Sequence, residues 1–138
     1  MDIAIVSPAR TDNVRTLAAL LLDRGHTVHV LEAETMRSPE GMREYCSRIA
    51  GSDALVVIDR WWFPDTTFAV GVAVGAYVPV VTVGINPGTY AAIRYAARVV
   101  AADIAEALRV VESYQSWLTG QGDSDVNPLL STGAAHEC

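Results

Sequence analysis

The run Ala54-Leu55-Val56-Val57-Ile58 is apolar at every position, with no alternation of polar residues. A strand of that kind has to be covered on both faces, which is the condition of a parallel sheet with helices above and below it. Parallel neighbours in turn need a crossover of a dozen residues or more, so the requirement reaches the whole chain. The chain meets it. Ile3-Ala4-Ile5-Val6 is an equally continuous run, Val28 to Leu31 follows as a second strand, Pro79 to Val83 as a fourth, and Arg98-Val99-Val100 as a short fifth. Between the first two, Thr11 to Arg24 places Leu17, Ala18, Leu20 and Leu21 on one helical face, with Gly25 as its stop. Ser38-Pro39-Glu40 reads as a helix start: a cap, a proline at the first helical position and an acid in the first turn. Met42, Tyr45, Cys46 and Ile49 continue that helix to Gly51. Asp103 caps a last helix whose stripe is Ile104, Leu108, Val111 and Trp117.

One stretch is ambiguous. From Phe68 to Tyr77, Val70, Val72 and Val74 alternate with small residues, as in a strand. A strand there would have to join Pro79 almost without a turn, so a helix is expected, with Gly71 and Gly75 bringing it close to the sheet. The whole is then a three-layer, doubly wound α/β sandwich around a five-stranded parallel sheet. A chain of 138 residues forms one such domain, placed at 1–120. Residues 121–138 turn to Gly, Ser, Asp and Asn and are expected to be a loose tail.

Composition narrows the partners. The formal net charge is −6 and all ten basic residues are arginine, so no basic footprint for nucleic acid or an anionic membrane is available. The longest apolar stretch, Phe68 to Val83, is interrupted by Gly71, Gly75 and Pro79 and is too short to span a bilayer. Cys46 and Cys138 form no disulfide framework, and His26, His29 and His136 lack metal-site spacing. These cysteines, on a chain that opens directly on a strand, lead to the expectation of a cytoplasmic protein, and the spacings and motifs to that of no metal and no cofactor.

In sheets of this type ligands bind beyond the carboxyl ends of the strands, where the strand order reverses. Three loops fall there. The first, Ser7 to Asn13, offers Ser7 and Thr11 hydroxyls, the Arg10 guanidinium, Asn13 and a helix N-terminus, a set suited to phosphate or carboxylate. Its plainer reading is a helix cap beside a solvated arginine. The second is Asp59-Arg60-Trp61-Trp62-Phe63-Pro64-Asp65-Thr66. Asp59 and Asp65 are candidate acid and base, or orienters of a sugar hydroxyl. Arg60 and Thr66 are candidate ligand contacts, and Trp61 and Trp62 can stack on a flat base. The plainer reading makes Asp65 or Thr66 a helix cap and the tryptophans a subunit contact. In the third loop, Gly84 to Thr89, Asn86 can point into the crevice.

Gly51 to Asp59 resembles the "aDalvavlD" strand of nucleoside 2-deoxyribosyltransferase-like proteins, and Asp65 to Val81 is similar to their "D-x-G-T-x-x-E-x-G-x-A-x-x-x-G-K-P-V" segment. Ile5-Val6-Ser7-Pro8 is similar to the family's "L-A-G-P" loop. The resemblance spans most of residues 1–118 and implies a flavodoxin-like fold, a homo-oligomer, and a site for a nucleoside or its monophosphate. Arg10 matches the phosphate-binding arginine of nucleotide-hydrolysing relatives. Aligned on Gly71, Ala73 and Pro79, Ala69 stands where the family carries its nucleophilic glutamate, with Val70 the adjacent alternative. A nucleotide-binding protein with little or no glycosyl-transfer activity is therefore expected. The alternatives are an enzyme that recruits Asp59 or Asp65, and a flavodoxin-type FMN binder that uses the first loop for the flavin phosphate.

Overall fold

The computed structural model describes residues 1–7, 11–58, 64–84 and 96–120. Five strands and four α-helices alternate in them: β1 (Asp2–Val6), α1 (Asp12–Asp23), β2 (Thr27–Leu31), a 3-10 helix (Ala33–Arg37), α2 (Pro39–Ala50), β3 (Ala54–Ile58), α3 (Pro64–Gly75), β4 (Val80–Val83), β5 (Ala97–Ala101) and α4 (Ile104–Leu118). All pairings are parallel and the order is β2-β1-β3-β4-β5. This is the flavodoxin-like order, with its reversal between β1 and β3.

The unbroken apolar strands explain the layering. Along β3, Ala54, Val56 and Ile58 face one side and pack with Val14, Leu17 and Leu21 of α1 and Ala107 and Val111 of α4. Leu55 and Val57 face the other side and pack with Tyr45 and Ile49 of α2 and Ala69, Val70 and Ala73 of α3. β1 splits likewise, Ile3 and Ile5 to the first core, Ala4 and Val6 to the second. Both cores are therefore anchored by the same central strands, and α1 and α3 leave the sheet on opposite faces.

The punctuation follows the sequence closely. Ser38 Oγ accepts from the Gly41 backbone N–H at 3.0 Å, and Asp103 Oδ1 accepts from that of Glu106 at 2.8 Å. The Glu106 carboxylate reaches back to the Ala102 N–H at 2.7 Å, a variant of the capping box shifted by one residue. Gly25, past the end of α1, takes φ +81°, the left-handed conformation that stops a helix.

Several details differ from expectation. α1 begins at Asp12, with Thr11 as its cap, and β5 extends to Ala97 and Ala101. α3 begins at Pro64, so Asp65 and Thr66 stand in its first turn and do not cap it. The 3-10 helix had no periodic signal, because five residues are too few to show one. Gly71 and Gly75 do not approach the sheet: both are exposed, and a Cβ built on either meets nothing within 4 Å. Ala69, Val70 and Ala73 face the sheet instead. At the far edge the register slips: Val80 pairs with Ala97 but Val81 with Val99, leaving Arg98 as an extra residue in β5. The expected tail at 121–138 lies outside the described residues.

Candidate functional site

Val6 of β1 is in register with Val57 of β3, so the chain emerges from the two strands side by side at their carboxyl ends. Ser7 is the first residue past β1, and Thr11 is the cap of α1, with extended backbone (φ −83°, ψ 168°). A threonine at this position ordinarily turns its hydroxyl onto the N–H groups of its own helix. Thr11 makes no such bond. Its Oγ1 and the Ser7 Oγ are both buried and have no hydrogen-bond partner among the described residues.

Buried hydroxyls are nearly always satisfied, and each orphan costs about 1–3 kcal/mol. Both belong to the segment that leads from β1 into the N-terminus of α1. The helix dipole favours an acceptor-rich, anionic group there. Asp12, in the first turn, bonds Arg15 at 3.3 Å on the exposed surface, and Asn13 is exposed on the same turn.

A second feature lies on the α2–α3 side of the same sheet end. A cavity of about 680 Å³ is bounded by Ala33, Glu34, Met36 and Arg37 of the 3-10 helix, Met42 of α2, and Pro64, Asp65 and Phe68 of α3. That volume falls in the range of small-molecule sites. Its walls are largely apolar, with Asp65 as the carboxylate contributed by α3. Arg37 and Glu34 pair at 3.4 Å on the surface. Behind it, Tyr45 is buried with its ring tilted against Phe68 at 6.4 Å. Burial foremost, then the negative charge of Asp65 and the neighbouring Cys46, pushes the Tyr45 phenol up to about 12. It therefore stays protonated through the physiological range.

Of the residues singled out in the sequence, Ser7 follows β1 and Thr11 caps α1, each with a buried hydroxyl. Asp65 and Thr66 share the first turn of α3, Asp65 exposed at the cavity and Thr66 buried. Arg10, Asp59, Arg60, Trp61, Trp62 and Asn86 lie outside the described residues. The sequence reading missed Met36, Met42 and Phe68, which look like core positions and become cavity walls only through the 3-10 helix. Ala69 does not face the crevice; it is fully buried between α3 and the sheet. A glutamate at that position would place its carboxylate in an apolar core. Among the described residues, no three His, Cys, Asp or Glu side chains cluster as metal ligands, and no helix is long and apolar enough to cross a membrane.

No family model matches the chain, and no curated protein matches its sequence. Among solved structures it is similar to a 2-deoxyribosyltransferase from the psychrotolerant bacterium Bacillus psychrosaccharolyticus, with a TM-score of 0.44 and 21% identity over 60% of this chain and 72% of that one. It is also similar to the glutaminase domain of Trypanosoma brucei CTPS, solved with bound acivicin, with a TM-score of 0.42 and 17% identity. That match covers 60% of this chain and 36% of the other.

Proposed function

We propose that this chain binds a nucleoside or nucleoside monophosphate at the carboxyl end of its sheet and has little or no activity on N-glycosidic bonds. The observation that carries the reading is the pair of buried hydroxyls, Ser7 Oγ and Thr11 Oγ1, without partners among the described residues at the start of α1. Hydroxyl donors and a helix N-terminus suit a phosphate or a sugar hydroxyl, and the apolar cavity beside Asp65 suits a flat base. The sequence resemblance to nucleoside 2-deoxyribosyltransferase-like proteins points the same way. Its alignment sets Ala69 or Val70 at the family's nucleophile position, and both are inert and buried against the sheet, so neither offers the covalent route.

Calorimetric titration with 2′-deoxynucleosides and their 5′-monophosphates tests the binding. Thr11→Val should raise the dissociation constant roughly tenfold, the worth of one hydrogen bond. Without ligand the same variant should be as stable as the parent or more so, because it removes an orphan hydroxyl and no cap bond. Arg10→Ala should weaken the monophosphate far more than the nucleoside. Failure of every compound to bind at millimolar concentration, or unchanged affinity in Thr11→Val and Ser7→Ala together, would sink the reading. Chromatography of the same incubations reports catalysis. Rapid base release, abolished by Asp59→Asn or Asp65→Asn, would make the chain an enzyme instead, and a yellow protein would point to flavin.

A further inference from the structure

Two of the chain's three methionines line one cavity. Met36 reaches it from the 3-10 helix and Met42 from α2, beside Asp65 and Phe68 of α3. Met42 is 36% exposed and Phe68 41%, so the walls keep apolar surface open to solvent. Met36 is partly buried against the second core. The third methionine, Met1, packs on the first core at the other end of the sheet. A methionine side chain fills an apolar wall as leucine does, but its thioether also gives an electron pair to an oxygen donor.

We propose that Met36 and Met42 make this cavity a redox-sensitive site, open to a flat apolar ligand when reduced and closed to it by sulfoxide formation. The inference rests on the reading of the cavity as the part of the site that takes such a ring. The oxidant is a peroxide. The thioether sulfur attacks one oxygen of hydrogen peroxide, an S–O bond forms and the O–O bond breaks. The displaced hydroxide takes the proton from the transferred oxygen and leaves as water. Sulfur loses two electrons and the peroxide gains them. The new sulfoxide oxygen is a hydrogen-bond acceptor. Asp65 and Glu34 are acceptors too, and the Arg37 guanidinium is already paired with Glu34 at 3.4 Å. A ring pressed against the oxidised wall would bury acceptors that lack donors, so affinity falls. Methionine sulfoxide reductases return the thioether, which makes the change reversible.

Binding of N-phenyl-1-naphthylamine, a neutral dye that brightens in apolar sites, reads the cavity without presuming a nucleoside. Hydrogen peroxide should oxidise Met36 and Met42, which fall in separate tryptic peptides, sooner than Met1 by mass spectrometry. The oxidised chain should bind the dye at least about tenfold more weakly with unchanged circular dichroism, and reductase treatment should restore binding. The double variant Met36→Leu, Met42→Leu should bind as the parent does and ignore peroxide. Cys46→Ser, which removes the partly buried thiol of α2, should stay sensitive. Should the double variant fail to fold, Met42→Leu alone should lose part of the sensitivity. The proposal is overturned by Met1 oxidising first, by no dye binding to the reduced chain, or by unchanged affinity after oxidation. Sensitivity that survives the double variant, or a loss that tracks unfolding, overturns it equally. A nucleoside monophosphate bound alike before and after oxidation sinks this inference and leaves the proposed function standing. Dye binding that responds as expected, with no nucleoside or nucleotide bound, supports the redox response and sinks that function.

Discussion

At the residue scale, the informative groups are those whose chemistry their neighbours leave incomplete. His26 is one. It is buried where α1 turns into β2, at the end of the sheet opposite the candidate site. Its Nδ1 lies 3.3 Å from the Met1 ammonium, and its Nε2 has no partner among the described residues. Burial first, then the ammonium and Arg24, hold its pKa below the ordinary 6.5, while Glu112 opposes them. The folded ring thus binds its proton more weakly than the unfolded one. As pH falls below about 6.5, the unfolded chain takes up a proton that the folded chain refuses, and stability is lost until the folded-state pKa is passed. Urea midpoints measured between about pH 8 and pH 5 should decline, and His26→Gln should flatten that decline. A slope unchanged by the substitution would place the titration elsewhere. None of this is legible in the sequence, where His26 is a lone histidine after a glycine. The Ser7 and Thr11 hydroxyls were legible as candidates by their loop, but their lack of partners among the described residues depends on burial, which no local pattern encodes.

At the element scale, the starts of α2 and α4 were readable because a cap is a local device of four residues. The outer face of α3 was not. With apolar residues on both sides, periodicity cannot say which side meets the sheet, and the two glycines were assigned to the wrong one. The 3-10 helix was equally hidden, yet it forms one wall of the cavity and is held by a close approach. A Cβ built on Gly41 would lie 1.7 Å from the Thr35 carbonyl oxygen and 2.9 Å from its carbon. Both obstacles are backbone and cannot rotate away. Gly41→Ala should therefore cost about 1–3 kcal/mol and displace the segment carrying Met36 and Arg37. Gly71→Ala, with open space around it, should gain up to about 1 kcal/mol from helix propensity alone. Denaturant melts of the two variants give opposite signs if the packing is as described, and equal signs if glycine acts only through the unfolded chain.

At the scale of the whole molecule, layering was legible and strand order was not. Continuous apolar strands announce burial on both faces, but the hydrogen-bonded neighbours of β1 are set by crossovers that no single segment specifies. Among the described residues the observed order also leaves β2 and β5 as edges, each a row of backbone groups that invites a further strand. At β5 the invitation is withdrawn. The register slip puts Arg98, exposed and charged, into the ladder as an extra residue, and a bulge of this kind bends and twists the strand that carries it. An incoming strand would meet a kinked template. Deleting Arg98 would straighten β5 into a short run of Ala and Val. The altered protein should form thioflavin-positive fibres under conditions that leave the parent clear. The same small irregularity that looks like a flaw in the sheet should then oppose the open-ended aggregation that a regular edge would allow.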